Sequence, residues 1–257
     1  MIDGFLSFRY LTGTMVKRFF APLLLLLLIH GQHNCLAQIP YRLHAPEEYI
    51  TAAGLIGFNI GGNILYKHKS GLSPDEISSL NNASINAFDR PATLRYSRTA
   101  AQISDDLLFL GLVTPTTLFI GKEFRHDDLA VSVMALESIL LTAAEVQLVK
   151  GLVKRNRPFV YNPSAPLSEK RKPDATASFF SGHTALTATA AMYTASVYTS
   201  THPNRSRDPW IWAGAAALPI ATGYFRYRAG KHFPTDVLAG LLIGSLNGIL
   251  IPQLHKR

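Results

Sequence analysis

The chain has 257 residues, room for one domain with a sizeable core. Hydrophobic residues make up 47% and charged ones 16%, a charged share low for a water-soluble domain, while a mean hydropathy of +0.13 is modest for a chain wholly immersed in lipid. A formal net charge of +8 favours anionic partners, and with no nucleic-acid module recognisable, phosphate groups and anionic lipid surfaces are the partners expected, not nucleic acid.

Residues 1–37 have the layout of a secretory signal peptide. Lys17 and Arg18 precede an apolar run from Phe19 to Ile29, and the polar stretch that follows ends in Cys35-Leu36-Ala37-Gln38, with a cut expected after Ala37. A retained signal anchor is the other reading, although the run is shorter than the roughly 20 residues that span a bilayer. Cys35 is the sole cysteine, so the cut chain has none to form a disulfide.

Residues 38–106 read as a periplasmic or interfacial segment. Ile50–Tyr66 is apolar but interrupted by Asn59, Gly61, Gly62 and Asn63, so it is expected to lie in the interface or against a bundle rather than to cross. Ser73-Pro74-Asp75-Glu76 is a helix start. Residues 107–257 then read as a helical bundle, with apolar helices over roughly Leu107–Ile120, Leu129–Val149, Thr184–Tyr198, Trp210–Tyr224 and Val237–Ile251. The last carries Gly240, Gly244 and Gly248, a spacing that lets helices approach closely in a bilayer. Glu137, Glu145 and Gln147 are expected to face the bundle interior. The fold class predicted is all-α: a membrane-embedded bundle of five to six core helices. With five crossings, Lys122 and Arg125, Arg205 and Arg207, and Lys256 and Arg257 fall inside, which puts the opposite loops outside.

Those opposite loops carry the chemistry. Lys150 to Pro158 reads K-G-L-V-K-R-N-R-P, Ser181-Gly182-His183 opens the next helix, and Arg226 to Asp236 reads R-Y-R-A-G-K-H-F-P-T-D. Lys150 and Arg157 are seven apart, two turns along one face if the helix continues to Pro158. Lys154 and Arg155 read as a juxtamembrane basic anchor. His232 and Asp236 are four apart at a helix start, which puts both on one face; a carboxylate beside an imidazole fixes its tautomer and leaves one ring nitrogen able to attack. Arg presents a planar fork to phosphate, and a helix N-terminus is a natural anion site, although Ser181 in that place also fits a plain helix cap. No Cys/His metal-ligand set is visible, and neither a metal nor another cofactor is expected.

These segments resemble the three signature motifs of the phosphatidic acid phosphatase type 2 superfamily, K-x6-R-P, P-S-G-H and S-R-x5-H-x3-D, in order and with the right gaps. Phe180 and Phe225 stand where that family has Pro and Ser. The resemblance implies that His232 forms a phosphohistidine oriented by Asp236, and that His183 protonates the leaving oxygen. It also implies that Lys150, Arg157, Ser181, Gly182 and Arg226 bind the phosphoryl group. The expected activity is a metal-independent phosphatase of a membrane lipid phosphate or diphosphate, in the inner membrane with its site facing the periplasm or exterior. Three other readings are a soluble secreted acid phosphatase acting on small phosphomonoesters, a vanadium-dependent haloperoxidase, and a silent lipid-binding scaffold. The sequence does not name the lipid.

Overall fold

The computed structural model describes residues 40–43, 45–120 and 128–256, so the signal-segment reading and Lys122, Arg125 and Arg257 lie outside the described residues. Among the described residues eight α-helices follow in order. They are α1 (Ala45–Lys67), α2 (Pro74–Ser78), α3 (Arg98–Val113), α4 (Asp128–Leu152), α5 (Leu167–Lys170), α6 (Gly182–Thr201), α7 (Asp208–Arg228) and α8 (Pro234–Leu254). Among the described residues there is no sheet, only isolated bridges.

Helix α6 is the axle. It touches α3, α4, α7 and α8, and most of its Ala- and Thr-rich length is buried. The glycine spacing of α8 sets how close that contact is. A Cβ built on Gly240, Gly244 or Gly248 would stand 2.6, 2.1 or 2.4 Å from the carbonyl oxygens of Ser181, Ala185 and Thr189. Both helices step by four residues along this seam, so the two backbones run in register. On the other face of α8, Leu238, Leu242, Leu246, Leu250 and Leu254 are 45% to 77% exposed. A leucine row of that length is an aggregation liability in water and an ordinary surface in lipid. Arg98–Ile120, Leu129–Leu152 and Pro234–Leu254 are long and apolar enough to cross a bilayer, and the protein is a membrane-embedded all-α bundle.

Three sequence expectations are resolved here. First, α1 packs on the bundle, one of the two placements expected for it. It runs parallel to α4 along most of that helix: Asn59 Nδ2 donates to Leu140 O (3.1 Å), a Cβ on Gly62 would meet Leu148 N at 2.8 Å, and Lys69 Nζ donates to Val153 O (2.6 Å). Asn59 and Gly62 are on its packing face, Gly61 is open to the outside, and Ile50, Ile56, Phe58, Ile60 and Ile64 point outward. At 23 residues it is about 34 Å long, enough for the hydrocarbon core. Second, the boundary at 106/107 falls inside α3, which begins at Arg98; its last predicted turns are 3-10 (Thr114–Ile120), because Pro115 removes a donor the α-helix needs. Third, α4 ends at Leu152, so Arg157 follows in extended chain rather than on the same helical face as Lys150.

The Ser73 start forms as a capping box, with Glu76 N donating to Ser73 Oγ (3.2 Å) and Ser73 N to Glu76 Oε2 (2.8 Å). Glu145 faces inward, where Asn247 Nδ2 donates to its Oε2 (2.6 Å). The side-chain stem of Gln147 instead lies against Gly62 of α1.

Candidate active site

The site forms where α3, α4, α6, α7 and α8 end together. After α4, residues 155–157 pair with 174–178: Arg155 N donates to Thr176 O (3.0 Å), Arg157 N to Ala175 O (2.8 Å) and Ser178 N to Arg155 O (2.9 Å). Two facing extended stretches thereby hold two arginines in fixed directions. At the other side α7 stops at Arg228, and Gly230 turns the chain with φ of +68°, where a Cβ would be 2.1 Å from Arg95 O. That turn delivers Lys231 and His232 to the cluster, and Pro234 at the first turn restarts the chain as α8.

His232 is fully buried. Its Nε2 is 3.2 Å from Arg157 NH1. A guanidinium only donates, so Nε2 bears the lone pair and Nδ1 the hydrogen. Nδ1 has no hydrogen-bond partner and lies 3.7 Å from Asp236 Oδ2. Burial first, then the charges of Arg157, Lys150, Arg226 and His183, hold the His232 imidazole well below the usual histidine range. Those same charges show that the residues of all three segments lie within one another's field.

Asp236 is tied elsewhere than expected. Its Oδ2 accepts from Ser178 Oγ (2.6 Å) and Phe233 N (2.9 Å), and its Oδ1 from Arg155 NH1. Arg155 NH2 in turn donates to Asp89 Oδ2 (2.7 Å), and Asp89 accepts from Thr235 N (3.0 Å) and Thr235 Oγ1 (2.7 Å). Burial alone would raise the Asp89 carboxyl; its bonds to Asn86, Thr235 and Arg155 hold it below the ordinary value instead. Arg155 is therefore an internal bridge between two buried carboxylates, not a surface anchor.

Arg157 is 2% exposed and largely committed to protein. Its Nε donates to Asp174 O (2.8 Å), NH2 to Asp174 Oδ1 (2.6 Å) and NH1 to Lys231 O (2.9 Å). Burial opposes the Asp174 charge, but Arg157, Lys231 and Lys150 hold its carboxyl well below the usual range. Tyr66, at the end of α1, donates to the same carboxylate at 3.2 Å.

His183 sits on the second residue of α6, and its Nε2 lies 2.8 Å from Asp105 Oδ1 on α3. Arg226 NH1 reaches Ser104 Oγ (3.2 Å) and Asp105 Oδ1 (3.4 Å), while its buried Nε has no partner. Ser181 does not cap α6; its hydroxyl pairs with Thr184 Oγ1 (2.8 Å) and its N donates to Asp236 O (3.1 Å). A Cβ on Gly182 would press on Val146 Cγ1 at 2.9 Å and stand 3.9 Å from Lys150 Nζ, so the glycine lets the helix start close to that ammonium. Lys231 Nζ lies over the Phe159 ring (4.7 Å) and 3.8 Å from Glu169 Oε2; burial first brings its pKa down to about 8.

All eight predicted residues thus come to the same end of the bundle. Sequence reading missed Asp89, Asp105, Asp174, Arg155 and Ser178, which hold them there. Asp105 had a faint signal, an acidic pair with Asp106 beside an apolar run; Asp89 had none.

The PAP2 superfamily model matches residues 130–257. Among solved structures, the first transmembrane PAP2-type phosphatidylglycerolphosphate phosphatase from Bacillus subtilis superposes with a TM-score of 0.50 at 21% identity, covering 78% of this chain and 94% of that one. No curated protein matches.

Proposed function

The chain belongs to the PAP2 superfamily, and from that footing we propose that it is a metal-independent phosphatase of a membrane lipid phosphate or diphosphate, working through a phosphohistidine on His232. The observation that carries the reading is the buried Nε2 lone pair of His232, set among Arg157, Lys150 and Arg226 with the His183–Asp105 pair in the same cluster. Nε2 attacks phosphorus and the bond to the leaving oxygen breaks. His183, held through Nε2 by Asp105, takes up the proton of the bound phosphate monoanion on Nδ1 and gives it to that oxygen. Water then attacks the phosphohistidine, returns a proton to His183 and frees inorganic phosphate and His232. Fixed cations meet the charge on the phosphoryl oxygens throughout, and the unpartnered Nε of Arg226 is a donor in reserve for them.

The outward leucine row of α8 supports a lipid substrate over a soluble phosphomonoester. The test is phosphate release in detergent micelles with EDTA, from phosphatidylglycerol phosphate, phosphatidic acid, undecaprenyl diphosphate and lipid A. Turnover of at least one lipid, lost in His232→Ala together with an acid-labile phosphoenzyme, is expected. Undiminished turnover in His232→Ala sinks the mechanism.

Charge supports a site facing the periplasm or exterior of an inner membrane: Arg42, Arg205, Arg207 and Lys256 lie toward the other end. Since α1 runs the length of the bundle, that orientation keeps the chain ahead of α1 on the inner side, which favours an uncleaved leader over a cut signal. In a Cys35→Ser background, Ser164→Cys should react with an impermeant maleimide in whole cells and Ser206→Cys should not; the reverse pattern inverts the protein.

A further inference from the structure

At the end of the bundle away from the phosphate cluster, three elements bring ligating side chains together. They are Glu48 near the start of α1, Glu137 in the third turn of α4, and His255 just after α8. His255 Nε2 lies 3.2 Å from Glu48 Oε1 and 3.3 Å from Glu137 Oε2, and the three ligating atoms are all within 4.8 Å of one another. The side chains of His255, Glu48 and Glu137 are 14%, 17% and 7% exposed, so this is not a solvated acidic patch.

The imidazole is oriented for ligation. His255 Nδ1 is 2.8 Å from Ile251 O, and a carbonyl oxygen only accepts, so Nδ1 carries its hydrogen and Nε2 is turned toward the two carboxylates. A backbone carbonyl behind one ring nitrogen is the usual outer support of a metal-binding histidine. With a proton on Nε2 the His255 ring is a hydrogen-bond and ion-pair partner of the two carboxylates; with a neutral ring the same three atoms converge as ligands on one divalent ion. The spacing also fits. Ligand atoms at about 2.0–2.1 Å in a tetrahedral zinc site stand roughly 3.3 Å apart, which is the separation of Nε2 from each carboxylate oxygen. Calcium and magnesium want six or more oxygens, and the mixed nitrogen and oxygen donors suit neither.

We propose that Glu48, Glu137 and His255 bind one divalent transition-metal ion of the zinc class, with a fourth position left to water. The ion clasps the entry to α1, the middle of α4 and the exit of α8. Those ends are already joined there, since Arg42 N donates to His255 O at 2.9 Å. The 21 residues of α8 set this clasp about 30 Å from His232, so its role is structural and separate from phosphate chemistry.

The test uses full-length protein without a polyhistidine tag, stripped with EDTA in detergent and titrated with zinc chloride. One zinc per chain is expected, with the melting temperature rising by about 5 °C or more at saturation. X-ray absorption at the zinc edge should show nitrogen and oxygen donors at about 2.0–2.1 Å and no sulfur. His255→Gln and Glu137→Gln should each lose the bound zinc, while wild-type lipid phosphatase activity persists in EDTA. Wild-type protein that stays below a fifth of an equivalent, or shows no thermal shift with zinc, overturns the proposal. So does His255→Gln protein that still binds one equivalent.

Discussion

Arg155 is the sharpest place to press on this structure. It bridges Asp89 and Asp236, whose side chains are both wholly buried, while its own is 27% exposed. Arg155→Ala removes the cation and leaves two carboxylates behind. Breaking a buried pair by deleting one partner costs about 3–5 kcal/mol. The lower end applies here, for two reasons. Arg155 is partly solvated, and each carboxylate keeps other donors: Ser178 Oγ and Phe233 N on Asp236, and Asn86 Nδ2 and Thr235 on Asp89. We therefore expect a loss of about 3 kcal/mol in urea unfolding in mild detergent. Activity should fall further than stability explains, because Asp236 would be released to bond His232 Nδ1, now 3.7 Å away, and would draw the ring from its place against Arg157. Arg155→Lys restores one contact of the two, since a single ammonium cannot fork between both carboxylates, and should recover under half of the lost stability. The assay is phosphate release per folded molecule beside the unfolding curve. An Arg155→Ala protein within about 1 kcal/mol of wild type, the range of an exposed pair, would show that the bridge is a surface ion pair after all and remove the reasoning.

Three further outcomes can be checked on the same preparation. Asp105→Asn should lower turnover of lipid phosphates at least tenfold, out of the roughly 10²–10⁴ a positioned acid contributes, yet spare p-nitrophenyl phosphate, whose leaving group needs no proton; equal loss on both substrates removes Asp105 from the acid's support. The pH profile has two limbs. His232 is depressed and so stays neutral below the ordinary value of about 6.5, which in the proposed mechanism puts the acid limb of kcat/KM beneath it; Lys231 loses its charge as pH rises through about 8, so KM should climb there and Lys231→Arg should abolish the climb. Gly244→Ala, whose Cβ meets Ala185 O at 2.1 Å, should destabilise by about 1–3 kcal/mol, while Gly214→Ala on α7, with nothing within 4 Å, should be neutral or stabilise by up to about 1 kcal/mol.

The bundle was legible in the sequence where the physics is local. Apolar periodicity marks α4, α6, α7 and α8, and the four-residue glycine spacing of α8 is a packing instruction that the contact with α6 carries out. That two placements stayed open for α1 has the same physical root. Asn59, Gly61, Gly62 and Asn63 look like interruptions when hydropathy is summed along the chain. In space Asn59 is satisfied by Leu140 O and Gly62 admits the backbone of α4, so neither exposes a polar group to lipid. An average over a window cannot tell a polar residue that faces a neighbour from one that faces the bilayer.

The site divides along the same line. Residues whose spacing encodes their geometry, such as His232 and Asp236 four apart on a helix start, could be picked out one by one. Their supports could not, because each acts across a long stretch of chain: Arg155 joins positions 89 and 236, and His183 meets position 105. That separation has a consequence for how the site is held. Asp89 and Asp105 come from the region before the family-matched residues 130–257, yet one fixes Asp236 through Arg155 and Thr235 and the other fixes His183 and Arg226. A chain cut down to 130–257 would keep all eight predicted residues and lose both carboxylates that orient them. Arg155 and Arg226 would each then lose a carboxylate partner, in a cluster that already carries Lys150, Arg157 and Lys231. The residues ahead of the matched region are thus part of the proposed site, because they supply negative charge that lets so many cations share one end of the bundle.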